Sequence, residues 1–483
     1  MQTHEVRAVL NVRDFGARGV AVRAETQICP ARVHAGWNPL AELRRTIYRA
    51  PADEPSARDT AALQAALDAA ADQGGGTVVV PPGDYLTGPL WLRSHVHLHL
   101  APGATLWGSP ELADYASETL LSEEIHGKTH LTGRARDIAL LNARGQKNIG
   151  LSGSGQLCGQ GGAFMIPWWR ADKSYPLERP WRLLCFQDCE AVTVRDVFIT
   201  DSCGWTLVFR DCRRVLVDGV RIENSHGPNV DGIDLENTSN ATIANCDIFT
   251  TDDGICLKST RPDGVVRNVA VSNCNVRTMC NAFKIGTETL GLVQDVVFHN
   301  CTAYNTPTDV TNMAAAVAVC CCDGAQVERL QFENITVRGS RAAFYLHVGR
   351  RTRYQAPHRA PVLGRLRDVL IGNLQADECT LPSLACGHPE APIDGLTLRD
   401  ITVRGHFAAA AGAADRSPPE LPEGYPDSAM YGELPAYGLY LRHVNHLALS
   451  RFRVHNANPD DPRPWLAQHN TRAVAADTEN QTT

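Results

Sequence analysis

Strong charge of one sign is missing from this chain: 53 acidic and 46 basic residues leave a formal net charge of −7 over 483 residues, with no basic block. Nucleic acid, whose phosphates are met by clustered Lys and Arg, is therefore not an expected partner. Long apolar runs are missing too. None approaches the roughly 20 residues that span a bilayer, so no membrane association is expected. The first residues, MQTHEVRAVLNVRDFGARG, intersperse charges among apolar positions and lack the apolar core of a secretory leader, which makes the cytoplasm the expected location. No CxxC pair or Cys/His cluster has zinc spacing, and neither a metal nor a cofactor is expected. Aromatic residues are only 6%, while 39 glycines and 28 prolines suit many short strands and turns better than a helical bundle.

Cysteine is present, at sixteen residues, but Cys320, Cys321 and Cys322 are consecutive and the rest are scattered through a long chain. Free, mostly buried thiols are expected rather than a disulfide scaffold. One stretch has helical period: in DTAALQAALDAAADQGGG, residues 59 to 76, Leu63, Ala66, Leu67 and Ala70 share a face, Asp59 and Thr60 stand at the cap, and Gly74 to Gly76 end the run. Period-two segments broken by PPG and APG turns follow, so a helical cap ahead of a strand-rich body is expected.

From residue 183 apolar triplets recur: LCF at 184, LVF at 207, IDL at 233, ICL at 255, FKI at 283, VAV at 317, FYL at 344 and LYL at 439. Second strands lie between them, with asparagine at a recurring turn position: Asn224, Asn245, Asn273, Asn300 and Asn334. Short strands, small turns and a stacked polar turn residue are what a parallel β-solenoid requires, each coil burying its inward side chains on its neighbours. Propellers and sandwiches also repeat strands, but the uneven triplet spacing argues against regular blades.

If the outer residues of each triplet point inward, the middle residues point out: Cys185, Val208, Asp234, Cys256, Lys284, Ala318 and Tyr345. Two residues before each triplet the column reads Arg182, Trp205, Asp231, Asp253, Asn281, Ala315 and Ala342. Asp231 and Asp253 thus fall in register on adjacent coils, with Asp252 beside Asp253 and Lys258 and Lys284 along the same exposed face. Carboxylates one strand spacing apart should not both ionise easily, so one proton is expected to be shared or one pKa raised, as general acid and base catalysis of glycoside hydrolysis requires. Two other uses of the acids stay open on residue type alone: turn residues that satisfy backbone amides, and a calcium site.

At these positions the chain resembles glycoside hydrolase family 28, the polygalacturonase family. The resemblance runs over roughly residues 11 to 350: NVRDFGARG, the DT at 59, GGGTVVVPPGDYLTGPLWLRSHVHLHLAPGATLWGS, GSGQLCGQG with Trp168 and Trp169, NVDGID matching NTDG, and TDDGICLKS matching the DD segment. It implies an all-β, single-stranded right-handed parallel β-helix that inverts configuration, with Asp252 as general acid and Asp231 and Asp253 holding and activating water. Where the family has GHG, this chain reads CNAFKIGTET, with Asn281 in the histidine position and Lys284 added; where the family has RIK, it reads AAAVAV over residues 314 to 319. Lys284, Lys258, Asn281, Asp234, Glu288, Trp205, His226 and Asn229 are the expected substrate-binding residues, and the run HVGRRTR, residues 347 to 353, is a second source of cations.

The expected organisation is one β-helix domain over 1–455. Residues 11–110 form the cap and first coils, with an insertion at 20–58; residues 150–455 form the catalytic coils, and 456–483 a polar tail. The expected function is a polygalacturonase-type hydrolase acting on an oligosaccharide or polysaccharide, pectin-derived or otherwise from plants. Exo action is expected because 20–58 and the Pro-rich 406–435 would close one end of a groove. A uronate lyase or epimerase using Lys284, and a non-catalytic carbohydrate-binding β-helix, are the alternatives.

Overall fold

The computed structural model describes residues 8–27, 44–54, 58–115, 135–136, 138–164, 179–224, 229–305, 313–351 and 362–477. Trp168, Trp169, His226 and the arginine at 353 lie outside them, as does about half of the insertion. Among the described residues, thirty-one strands join by parallel pairing into one sheet, so the fold is the expected all-β parallel β-helix with a helix, Thr60–Asp72, ahead of most of the strands. No helix among the described residues is long and apolar enough to cross a membrane. By internal contact the chain divides into two compact units: Met1–Glu123 with Thr129–Asp234 and Asn245–Thr251, and Glu124–Lys128 with Leu235–Ala244 and Asp252–Thr483.

In the first unit the helix buries the expected face, Leu63, Ala66, Leu67 and Ala70. Its Gln64 side chain both donates to the carbonyl of Trp91 and accepts from its amide, at 3.0 and 2.8 Å, tying the helix to the strand Leu90–Trp91. Asp59 stands at the N-cap position but does not cap with its side chain; the carboxylate accepts instead from the amides of Arg18 and Gly19, at 2.6 and 3.2 Å. Arg182–Gln187 pairs with Trp205–Arg210 in the register expected of the triplets, Leu184 facing Leu207 and Phe186 facing Phe209, with those two rings stacked at 5.3 Å. Part of the insertion forms an antiparallel hairpin, Val22–Gln27 with Arg44–Arg49, whose Tyr48 stacks on Trp107 at 3.6 Å.

In the second unit the triplet registers also hold: Phe283 faces Ile255 and Val317, and Val317 faces Phe344. Asn273, Asn300 and Asn334 adopt left-handed backbone, and Asn334 Nδ2 donates to Asn300 Oδ1 at 2.9 Å, a polar ladder at the corner of successive coils. Asn245, in the first unit, is left-handed as well, but Asn224 is not among these: it is buried and caps the amide of Ser202 at 2.8 Å. All fifteen described cysteines are free, and all but half-buried Cys280 are buried.

Two expectations are corrected here. The triplet series skips a coil, because Ser383–Cys386 pairs between Ser340–Val348 and Leu439–Asn456 with the inconspicuous sequence SLAC. Residues after 455 are not simply a polar tail: 455 lies inside Leu439–Asn456, and Leu466–Asp477 adds a further parallel strand. The exposed backbone edge of a preceding coil offers hydrogen bonds to any extended segment, whatever its polarity.

Candidate active site

The face expected to be exposed is covered in the second unit. Lys284, Ala318 and Tyr345, the middle residues of three successive triplets, are all at most 3% exposed. Ala318, Tyr345, Leu384 and Tyr440 form an apolar cluster with Tyr431 and Leu434, and Leu421 and Met430 pack against it. These four residues belong to a segment, 418–437, laid over the strands. The alternation of inward and outward side chains is real, but a side chain facing away from the solenoid core meets a second apolar layer there instead of water.

Within this unit the sequence TDDG brings Asp252 and Asp253 to the turn that precedes strand Ile255–Ser259. Asp252 is half-buried and its Oδ1 accepts the amide of Asp253 at 3.0 Å, which ties its carboxyl to the backbone of the turn. Asp253 is buried. Its Oδ2 accepts from Lys284 Nζ at 2.6 Å, and its Oδ1 accepts from the Asn281 side chain at 2.8 Å and the Asn281 amide at 3.3 Å. The same coil register explains these bonds: Gly254 N donates to Asn281 O at 2.8 Å, so Asn281 lies beside the start of the acid-bearing strand and Lys284 one triplet position further on.

Burial pushes the Asp253 carboxyl up, but the charges of Lys284 and then Lys258, with the hydrogen bonds from Lys284 and Asn281, outweigh it and hold the pKa below the ordinary carboxylate value. Burial pulls the Lys284 ammonium down, and Asp253 more than reverses this, so its pKa stands well above the ordinary lysine value. Asp253 is thus an ionised carboxylate balanced by an ammonium. A proton shared at Asp253 is not needed to relieve carboxylate repulsion, because the cation does so.

One oxygen each of Asp252 and Asp253 and the Cys280 sulfur lie within 4.8 Å of one another. The set does not suit calcium, which takes six to eight oxygen ligands. The ammonium already occupies Asp253, and burial pushes the Cys280 thiol well up, keeping it protonated.

The other expected residues fall as follows. Lys258 is buried and contributes its charge to Asp253. Glu288 is buried, within electrostatic reach of a second ion pair, Arg351 with Asp323, at 2.7 and 3.1 Å. Asp231, Asp234, Trp205 and Asn229 belong to the first unit. There Asp231 is buried with its carbonyl accepting from Thr206 N at 3.0 Å, Asp234 is fully buried, and Asn229 is left-handed. Trp205 is buried against Trp181 at 6.1 Å with the Arg182 guanidinium over its ring at 5.8 Å.

Arg351, from the run read as a second source of cations, is instead committed to buried Asp323, and Tyr425, which the sequence did not single out, completes the second unit's arrangement. Arg351 also donates to the carbonyl of Thr287 at 2.7 Å and lies over the ring of Tyr425 at 5.9 Å. Tyr425 is 56% exposed and is electrostatically coupled to Lys284, Asp253 and Asp252. Only the phrase EGYP in a Pro-rich stretch could have pointed to it.

A parallel β-helix carrying a buried, cation-balanced aspartate beside a half-buried one is an arrangement suited to glycosidic chemistry. Residues 121–341 match the sequence model of glycosyl hydrolases family 28. A probable polygalacturonase of Vitis vinifera is 23% identical over 353 residues, covering 70% of this chain and 68% of that protein. Among solved structures, the exopolygalacturonase of Thermotoga maritima superposes with a TM-score of 0.64 at 21% identity, over 82% of this chain and 87% of that one. The family 28 exopolygalacturonase of Yersinia enterocolitica gives 0.63 at 16%, over 96% and 78%. Over residues 121–341, a little under half of its length, the chain resembles glycoside hydrolase family 28, and these similarities mark it as a glycosidase.

Proposed function

We propose that the protein hydrolyses a glycosidic bond in a pectin-derived oligosaccharide, with inversion and from a chain end. Asp252 protonates the leaving oxygen, and Asp253 orients and deprotonates the attacking water, a role that the family resemblance also implies for Asp231. The state of Asp253 carries this reading. Both of its oxygens are engaged by Lys284 and Asn281, so it remains ionised and is held too firmly to swing into covalent attack. Asp252, half-buried, is left as the carboxyl that can meet a substrate oxygen.

Carboxyl separation alone would favour retention, since oxygens within 4.8 Å are nearer the roughly 5–5.5 Å of retaining pairs than the 6.5–9.5 Å of inverting ones. The engagement of Asp253 and the family resemblance support inversion instead. Chain-end action is supported by the covering of the outer face by residues 418–437. Proton NMR of the products of oligogalacturonide or rhamnogalacturonan digestion tests both points. An initially inverted anomer and stepwise release of terminal sugars are expected, and a retained anomer or random internal products would refute the respective part.

Elimination or epimerisation through Lys284 is disfavoured, because a lysine base needs a lowered pKa and Asp253 raises this one. The appearance of an unsaturated product absorbing in the ultraviolet would reverse that conclusion.

A further inference from the structure

Among the described residues, Tyr425 is the one aromatic in the group of exposed large apolar side chains, at 56%. Its neighbours in the chain are fixed on both sides. The Pro422 carbonyl accepts from Arg350 N at 2.6 Å, Gly424 N turns back to Leu421 O at 3.1 Å, and the Asp427 carboxylate meets Arg341 at 2.9 Å. Further along, Tyr431 is bonded to buried His347 at 2.8 Å. A surface ring with no task would be expected on a loose loop; this one stands in a segment pinned before and after it.

The ring is aimed by its surroundings as well. The Arg351 guanidinium lies over it at 5.9 Å, and Arg351 is itself locked by Asp323 and by the carbonyl of Thr287 at the end of the Lys284 strand. Tyr425 is also coupled electrostatically to Lys284, Asp253, Cys280 and Asp252. Sugar rings present flat C–H faces, and an aromatic ring prefixed beside a pair of acids is the side chain that recognises such a face at little entropic cost.

We propose that Tyr425 is the sugar-stacking residue of this site, holding one saccharide ring against its exposed surface so that the neighbouring glycosidic oxygen lies at Asp252. The proposal rests on the glycosidase reading of the acids. Its role is positioning, with no proton or bond passing through the tyrosine, so the aromatic ring matters and the hydroxyl does not.

The test uses the full chain carrying Asp252→Asn, expected to bind with turnover strongly reduced, titrated calorimetrically with oligogalacturonides and rhamnogalacturonan fragments. Adding Tyr425→Ala is expected to weaken binding about tenfold, the scale of a lost aromatic contact, while Tyr425→Phe restores it. In the otherwise unaltered enzyme Tyr425→Ala should raise KM by a similar factor and leave kcat nearly unchanged. Unchanged binding by the alanine variant, failure of phenylalanine to restore it, or no binding of any fragment overturns the proposal. Binding that depends on the ring in a protein with no hydrolytic activity would uphold the proposal and refute the assigned reaction. Hydrolysis with KM indifferent to Tyr425→Ala would do the opposite.

Discussion

Replacing Lys284 by methionine isolates the ion pair on which the site is built. The two side chains are 3% and 5% exposed and meet at 2.6 Å, so solvent screening takes little from their interaction. Removing Lys284 leaves a buried carboxylate whose only remaining support is the Lys258 charge and the Asn281 hydrogen bonds, and a loss of about 3 kcal/mol is expected at neutral pH. The loss has a defined pH dependence. Asp253 has a depressed folded pKa, so its contribution is present above its unfolded value of about 4 and is lost as pH falls through the folded one. Lys284 has a raised folded pKa, so its contribution is present below its unfolded value of about 10.4 and is lost as pH rises through the folded one. The difference between wild type and Lys284→Met in urea unfolding should therefore be large and level from about pH 5 to 9 and shrink in stronger acid, where Asp253 protonates in both. Adding Asp253→Asn should recover much of the loss, because the carboxylate that Lys284→Met leaves without its ammonium is then gone. A loss below about 1 kcal/mol, one equally large in strong acid, or a double variant no more stable than the single one would refute the assignment of this pair.

Asp252→Asn should lower kcat by at least about a hundredfold with folding and saccharide binding retained, checked by calorimetry alongside turnover. Arg351→Ala should destabilise by about 3–5 kcal/mol, since it strands the buried Asp323, and Arg351→Ala with Asp323→Asn should recover part of it in urea unfolding. His347, buried and bonded to Tyr431, has its pKa pulled down to about 3, first by burial and then by Arg442. The unfolded chain therefore takes up a proton near pH 6.5 that the folded one refuses, so wild-type stability should fall as pH drops from about 6.5 toward 3. His347→Gln should flatten that part of the curve, and an unchanged slope would refute it.

Much of the site was legible because the coil repeats its own spacing. NVDGID and TDDGICLKS could be aligned by eye, and the positions of Asp253, Asn281 and Lys284 relative to their strands follow from period-two alternation alone. What alternation does not report is what lies above a face. Lys284 and Lys258 therefore read as exposed cations available to an acidic sugar, whereas Lys284 is committed to Asp253 and both are buried. SLAC at 383–386 went unnoticed because small residues on a fully covered strand leave no apolar signature. The strand Leu466–Asp477 went unnoticed because its hydrogen bonds come from the preceding coil and not from its own composition.

The sequence by itself determined the solenoid, its triplet register, the free buried thiols and the pair Asp252 and Asp253. Each of these depends on residues close in the chain or on a repeat that copies itself. Only the tertiary structure decided how Asp253 is charged and what covers the outer face. Both depend on side chains brought together from distant parts of the chain: Lys284 thirty-one residues beyond Asp253, and a segment about 140 residues beyond Lys284 that carries Tyr425 back to its neighbourhood. A local pattern can place a charge on a face, but the free energy of that charge is set by whatever else the fold packs against it.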